Sequence, residues 1–335
     1  MEKILKIGKL GENSLKRSVL KQLHKRRAEV VVGAAVGEDC AAVKLEEGDL
    51  AVLSTDPITG ALSDIGLLAV HITANDLACS GAEAIGLMVT LLMPEGSLES
   101  HVRSIMRQID DECGKIGVEV IGGHTEVTDA VTRPLVSVTG VGRVRKDGFI
   151  SSGGAEAGQS IVMTKWAGLE GSAILAADQR EELQKRLPDA LIDRAAGFSQ
   201  YLSVVPESRI ARDFGVGAMH DVTEGGIFGA LWELAEASHK GLEVFLRDIP
   251  IRQETVEICN HLDINPYMLV SGGALLMTAD DGEGLTEALM QAGINAAVIG
   301  HITEGNDRII KYKDEVRYLD RPGADELYRA GKIGG

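Results

Sequence analysis

Hydrophobic and polar positions along the chain predict an alternation of strands and helices. Apolar runs at 49–55, 84–93, 118–121 and 135–144 predict strands, and apolar residues at helical spacing predict helices over 14–27, 64–80 and 97–116. Asp64 is expected to cap the second helix, and Gly81 is expected to end it. This alternation is typical of an α/β fold.

The second half of the chain continues the alternation. A strand is predicted at 160–164, a helix at about 169–177, and two further helical stretches before 213. A strand, a helix and a strand over 274–278, 284–292 and 296–301 predict a split βαβ arrangement, followed by a terminal strand and a polar tail. Between the halves, residues 146–158 are rich in serine, glycine and acidic residues, which is typical of a linker. We therefore predict two α/β domains, over residues 1–150 and 151–335.

Composition and charge exclude several classes of protein. The 335 residues carry a net charge of −16, which repels a phosphate backbone and an anionic membrane surface, so we expect neither a nucleic-acid partner nor a membrane partner. The most apolar stretch, 67–93, is interrupted by polar residues and is not expected to span a membrane. The four cysteines form no C-x-x-C pair, and residues 1–10 contain no long apolar segment. We expect a cytoplasmic protein with reduced thiols.

Acidic residues recur at the ends of predicted elements, each beside glycine or another small residue. The four examples are Asp39, Asp56, Asp76 and Asp221. Asp76 shares a helical stripe with apolar residues at 65, 68 and 72, and a carboxylate on such a face is costly unless it is paired or binds a metal. The alternatives are a salt-bridged acid in a packed helix and ordinary turn residues. Carboxylates converging from separate elements are what Mg²⁺ requires when it bridges nucleotide phosphates.

Two glycine-containing segments are candidate phosphate sites. Asp221 or Thr223 can cap the apolar helix that follows them, and Gly225-Gly226 lets a ligand approach the N–H groups at its start. The alternative is a capped helix with a close packing contact. Gly122-Gly123-His124 follows a predicted strand and could also hold phosphate, with His124 as donor, although such a histidine is usually an ordinary loop residue. The chain contains no Walker-type loop, kinase glycine loop or G-x-S-x-G motif.

Five motifs occur in a fixed order along the chain: Val36-Gly37-Glu38-Asp39-Cys40-Ala41-Ala42-Val43, Ser54-Thr55-Asp56, Asn75-Asp76-Leu77-Ala78, Gly122-Gly123-His124-Thr125 and His220-Asp221-Val222-Thr223-Glu224-Gly225-Gly226. Taken in order, these segments resemble the superfamily of aminoimidazole ribonucleotide synthetase, selenophosphate synthetase, thiamine-monophosphate kinase and the HypE-type hydrogenase maturation factor, and the match covers about residues 30–310. The similarity is strongest to the HypE-like branch, especially over residues 168–175 and 265–269.

The resemblance implies a fold, a cofactor and a chemistry. It implies a PurM-like α/β fold of two domains, a homodimer whose N-terminal sheets form a barrel, and ATP with Mg²⁺ bound between domains and subunits. It further implies that ATP phosphorylates a substrate oxygen, with His124 and Asp221 in catalytic roles. By motif position the metal ligands are Asp39, Asp56 and Asp76, and the remaining cofactor-binding residues are Gly37, Thr55, Asn75, Gly122, Gly123, Thr223, Gly225 and Gly226.

The chain departs from HypE-type proteins at three motifs. Their C-terminal carrier cysteine has no counterpart here, since the last cysteine is Cys259, so we expect no thiocyanate carried on this chain. Their Gly-Gly-Asp has become Gly122-Gly123-His124, and their Ser-Glu-Gly has become Ser271-Gly272-Gly273. We expect the substrate to be a small molecule or a protein-borne group, and the resemblance implies a hydrogenase-maturation protein as a candidate partner. The alternatives are a small-molecule kinase like thiamine-monophosphate kinase, and an ATP-binding interaction protein without turnover.

Overall fold

The computed structural model describes residues 4–36, 40–58 and 64–330. The chain divides into two compact units. The first comprises Met1–Leu77 and Ala82–Phe149, and the second comprises Ala78–Gly81 and Ile150–Gly335. Among the described residues, no helix is both long enough and apolar enough to cross a membrane.

A five-stranded sheet organises the first unit, with strand order β1-β6-β5-β7-β4. Strands β5 and β6 are parallel and joined through α3, and β5 and β4 both pair antiparallel with β7. The elements up to residue 149 are β1 (Gly8–Lys9), α1 (Glu12–Ser18), β2 (Val30–Val32), β3 (Ala42–Val43), β4 (Asp49–Ile58), α2 (Ile65–Cys79), β5 (Glu83–Pro94), α3 (Glu99–Ile116), β6 (Glu119–Thr128) and β7 (Leu135–Arg145).

Helix α2 packs closely on this sheet because small residues lie opposite it. A Cβ atom at Gly140 of β7 would lie 2.7 Å from Cγ2 of Thr73 and 2.9 Å from Cδ1 of Leu77. Residues on nearly every side of α2 are buried, with Ile72 and Asp76 among the few half-buried positions. The predicted helix is confirmed, and Asp76 is half-buried on a stripe whose members Ile65 and Leu68 are buried. A helix that is apolar all round gives no periodic signal for its exposed side.

Three predicted elements of this unit have different bounds in the structure. Helix α1 ends at Ser18, well before the predicted residue 27. Strand β4 continues through Pro57 to Ile58 instead of ending at Asp56. It can do so because β4 is an edge strand, where proline, which has no N–H to donate to a second neighbouring strand, is tolerated. Strand β6 extends to Thr128, so Gly122-Gly123-His124 lies inside a strand and not in a loop after it.

The second unit contains a seven-stranded sheet of order β14-β13-β10-β12-β8-β11-β9. Its elements are β8 (Ser160–Thr164), α4 (Leu169–Asp178), α5 (Arg180–Leu183), α6 (Asp189–Ala196), α7 (Val205–Phe214), β9 (Ala218–Asp221), α8 (Gly226–Ser238), β10 (Gly241–Phe245), α9 (Gln253–Leu262), β11 (Leu275–Ala279), α10 (Gly282–Gln291), β12 (Ala296–Thr303), β13 (Arg308–Tyr312), β14 (Glu315–Tyr318) and α11 (Glu326–Ala330).

Strand β8 is an interior strand of this second sheet, between β12 and β11. It pairs antiparallel with both β11 and β12, so β11-α10-β12 is a split βαβ unit, as predicted. Ile161 and Met163 belong to one hydrophobic core cluster and Val162 to another, because successive side chains on a strand point to opposite faces. The sheet is therefore buried on both faces at β8.

Candidate functional site

Two of the three predicted metal ligands converge in the first unit. Ser54 and Asp56 are two residues apart on β4, so their side chains share one face of the sheet, where Asp76 of α2 also lies. The Ser54 hydroxyl donates to a carboxylate oxygen of Asp76 and lies 3.3 Å from Oδ2 of Asp56. One hydroxyl hydrogen cannot fully satisfy two carboxylates. The cluster therefore gathers negative charge and hard oxygen donors, the donor set that Mg²⁺ prefers.

Other parts of the predicted metal site remain outside this cluster. Asp39 and Gly37 lie outside the described residues. Within the ranges that the structure describes, no group of three or more His, Cys, Asp or Glu side chains is placed to hold a metal ion. Asn75, predicted to orient the ligands, is buried beside Asp76 on α2. The geometry thus provides two carboxylates and one hydroxyl as candidate oxygen ligands.

Thr55 faces the opposite side of the sheet from its neighbour Asp56. Its Oγ1 lies 2.9 Å from Oγ1 of Thr139, the residue paired with it on β7. Thr139 lines a cavity of about 440 Å³ in the first unit, a volume typical of small-molecule sites. The structure therefore separates two predicted ligand-binding groups that are adjacent in sequence.

The cavity brings together the predicted glycine motif and a cation. Gly122, Gly123 and His124 line it from β6, and Lys9 of β1 supplies a basic side chain that the sequence did not single out. The imidazole Nε2 of His124 lies 3.0 Å from Oε2 of Glu126. Since His124 is half-exposed, it can still present a hydrogen-bond donor to a bound anion.

In the second unit, Asp221 is the last residue of β9, and its side chain is one of three neighbouring charged side chains, with His220 and Glu233. Its Oδ1 lies 3.6 Å from Nδ1 of His220, and Nε2 of His220 lies 3.1 Å from Oε2 of Glu233. Burial disfavours the imidazolium, but hydrogen bonds to Asp221 and Glu233 outweigh it and raise the pKa of His220 to about 9. His220 is therefore cationic at neutral pH.

This raised pKa predicts a specific pH dependence of stability. The charged His220 stabilises the fold fully below its unfolded pKa of about 6.5, and the contribution is lost as pH rises through about 9. Replacing Glu233 with glutamine should lower the midpoint of His220 and shrink that loss. Histidine-resolved NMR titration, with urea unfolding at pH 6.5 and 9.5, checks both effects. An unchanged His220 midpoint in Glu233→Gln would contradict the assignment.

The Gly225-Gly226 turn precedes α8, but neither predicted cap is used. The cap residue is Gly225, with φ of 83°, and neither Asp221 nor Thr223 caps through its side chain. Instead, Oδ2 of Asp325 accepts from the Gly225 N–H at 2.7 Å. Gly226 is required by packing, since a Cβ there would lie 2.7 Å from the carbonyl oxygens of both Tyr267 and Leu269. The expected cap was wrong because the acid that fills this role comes from a remote segment.

Sequence reasoning assigned no role to several residues that contact these groups. Ser54 lies in the Ser54-Thr55-Asp56 motif. Its spacing of two residues from Asp56 on a strand indicates that the two side chains share one face of the sheet. Glu170 lies in residues 168–175, one of the two segments with the strongest similarity to the HypE-like branch. Lys9, Thr139 and Asp325 reach these positions through tertiary contacts, which no local sequence pattern indicates.

Comparison with known proteins identifies the family. The AIR synthase related protein N-terminal domain matches residues 37–144, and the C-terminal domain of the same family matches residues 156–313. The chain belongs to the AIR synthase related family. The superfamily that the motifs resemble is thereby confirmed.

Relatives of this AIR synthase related protein include hydrogenase maturation proteins. A candidate hydrogenase expression/formation protein of Methanocaldococcus jannaschii is 30% identical over 332 residues, which are 96% of each chain. The carbamoyl dehydratase HypE of Cupriavidus necator is 27% identical over 310 residues, covering 88% of this chain and 85% of that one. The similarity to the HypE-like branch is therefore also confirmed.

Solved structures share the fold. HypE in complex with ATP has a TM-score of 0.79 at 21% identity, covering 96% of this chain and 97% of that chain. HypE in a HypE–HypF complex scores 0.72 at 24% identity, covering 83% and 92%. Thiamine-monophosphate kinase of Stenotrophomonas maltophilia scores 0.72 at 19% identity, covering 94% and 99%. The predicted two-domain PurM-like α/β fold is confirmed.

Proposed function

We propose that this protein is an ATP- and Mg²⁺-dependent enzyme that phosphorylates an oxygen of a carbamoyl-type substrate during hydrogenase maturation. The observation that carries the proposal is the convergence of Asp56 and Asp76 on the Ser54 hydroxyl. Two carboxylates drawn together in this way favour a divalent cation, and a divalent cation is what nucleotide phosphates require. The family relationship to carbamoyl dehydratases and the ATP-bound HypE of the same fold support it.

Asp56, Asp76 and Ser54 would hold Mg²⁺ through oxygen atoms, with Asp39 as a further ligand and Asn75 orienting the set. When bound, the metal would neutralise charge on the ATP phosphates. The cavity beside Thr139 lies on the face of the sheet opposite Asp56, so it would hold a part of the nucleotide away from the metal, reached around the edge strand β4. Gly122 leaves room there for close approach of a ligand to the backbone. His124, Thr55 and Lys9 would donate hydrogen bonds or positive charge to that ligand.

The second unit would contribute Asp221, Thr223, Gly225 and Gly226. With Gly225 N–H already bonded to Asp325, the groups at this turn would orient the substrate together with that carboxylate. Phosphorylation of a carbamoyl oxygen turns it into a phosphate leaving group. Loss of that phosphate and of two N–H protons converts the carbamoyl group into a nitrile, so ATP and substrate yield ADP, phosphate and the nitrile.

The similarity to the HypE of a HypE–HypF complex favours a protein-borne carbamoyl group delivered by a partner protein. The open sheet edge at β4 and the family relationship also favour a homodimer. A second candidate is phosphorylation of a small molecule, because thiamine-monophosphate kinase shares the fold over 94% of this chain. The two functions differ in the product that carries the γ-phosphate of ATP, which is free phosphate for the carbamoyl reaction and a phosphorylated acceptor for the kinase.

We expect slow, Mg²⁺-dependent formation of ADP that is accelerated by a carbamoyl substrate. Phosphorus NMR of the reaction of unlabelled ATP with a substrate that carries ¹⁸O in its carbamoyl group should show free phosphate containing one ¹⁸O atom. Phosphate retained on an acceptor would instead establish the kinase. ATP binding with no ADP under either condition would leave the interaction protein as the function.

A further inference from the structure

Glu170 is unlike the other buried glutamates of the described chain. It lies in the first turn of α4, is 4% exposed, and accepts a hydrogen bond through Oε2 from the Gly272 N–H at 3.2 Å. No Lys, Arg or His of the described ranges lies within ion-pair distance of it, although buried carboxylates normally have such partners. The other buried glutamates of the described residues each form an ion pair with a basic side chain: Glu99 with Arg17, Glu112 with Lys115, Glu119 with Arg26, Glu207 with Lys165 and Glu326 with Arg329.

The charges that face Glu170 are negative. Burial, with Asp325 and Asp221, raises the pKa of Glu170 to about 7, and the Gly272 N–H acts in the opposite direction. Asp325 comes from the C-terminal segment and Asp221 from the end of β9, where its Oδ2 is buried without a hydrogen-bond partner among the described residues. The cation beside Asp221 is His220. Glu170 is thus a buried acid that can exchange a proton at neutral pH.

Gly272 provides the space for the Glu170 carboxylate. A Cβ atom at position 272 would lie 2.2 Å from Oε2 of Glu170. Its backbone does not demand glycine, because Gly272 lacks the left-handed φ that Gly273 adopts at 97°. The carboxylate of Glu170 therefore occupies the space that a side chain at 272 would enter, and it would have to move to admit one; HypE-type proteins carry the acid of Ser-Glu-Gly at this position.

We propose that Glu170 supplies from α4 the acid that the Ser271-Gly272-Gly273 turn lacks, and that it exchanges a proton with substrate bound at the second unit. The proposal rests on the proposed function for the identity of the substrate. The carboxylate takes one proton from a substrate N–H and becomes the neutral acid, which returns the proton to water after product leaves. No further reactant is needed.

The first test observes the proton directly and does not depend on activity. In a chain labelled with [δ-¹³C]glutamate, one carboxyl signal should titrate with a midpoint of about 7. It should disappear in Glu170→Gln and persist in the control Glu224→Gln, whose side chain is exposed. A signal near pH 7 that survives in Glu170→Gln, or the absence of any such signal in the wild type, would overturn the proposal.

The second test moves the acid between the two positions. Glu170→Ala and Gly272→Glu should each lower ADP formation about 100-fold, the lower range for loss of a proton-transfer group. The double variant should recover to within about 10-fold of the wild type and restore the pH profile. Circular dichroism checks that the double variant is folded. If the folded double variant forms ADP as slowly as Glu170→Ala and Gly272→Glu do, the proposal is contradicted. If the wild type forms no ADP, the proposed function fails, while the NMR titration still decides whether Glu170 changes protonation near neutral pH.

Discussion

Asp76→Asn is expected to lower the affinity for ATP in the presence of Mg²⁺ by about 100-fold or more, while leaving weak metal-independent binding unchanged. Asparagine keeps the shape of the side chain but removes the charge that a hard cation requires. Ser54→Ala should cost about 10-fold, because Ser54 orients both carboxylates through hydrogen bonds. Calorimetric titration of ATP with and without Mg²⁺ measures both effects.

Asp111→Asn is the matched control for this prediction. Asp111 lies on α3 with an exposed side chain, so its substitution makes the same change in net charge away from the cluster. An equal loss of affinity in Asp111→Asn would mean that overall charge determines binding. Wild-type affinity in Asp76→Asn would remove the observation on which the metal site rests.

The sequence predicted most of the secondary structure because the two units are built from strongly patterned elements. Strand β8 has the predicted bounds of 160–164, and the split βαβ unit is present. The errors occurred where tertiary position decides the outcome. Whether Pro57 ends a strand depends on whether that strand is at an edge, and whether Gly122 and Gly123 form a loop depends on the neighbouring β5.

The candidate site was only partly predictable for the same reason. Sequence order identified Asp56 and Asp76 as acids beside small residues, and the structure brings them together. It could not separate Thr55 from Asp56, because that required knowing that both lie within one strand whose side chains alternate between faces. Nor could it connect Asp325 to Gly225 across 100 positions, because no local pattern encodes such a contact.

Gly123→Ala should be the most destabilising glycine substitution in β6. Gly123 has φ of 145°, and an added Cβ would lie 1.9 Å from the carbonyl oxygen of Val89 on β5. Backbone atoms cannot move aside as a flexible side chain does, so the two parallel strands must separate locally. We expect a loss of about 3–5 kcal/mol, combining backbone strain with overpacking. Thermal unfolding should show a fall in Tm of about 10 °C or more.

Gly122→Ala separates the structural role of this motif from its proposed binding role. A Cβ at Gly122 would meet only Met88, at 3.7 Å, and its φ is not left-handed, so stability should change by less than about 1 kcal/mol. The methyl group would nevertheless project where a ligand is proposed to approach the β6 backbone, so ATP affinity should fall although Tm does not. A Tm loss in Gly122→Ala as large as in Gly123→Ala would contradict the packing argument. Unchanged ATP affinity in a stable Gly122→Ala would instead place the nucleotide away from this strand, because the motif's glycines would then serve only the pairing of β5 with β6.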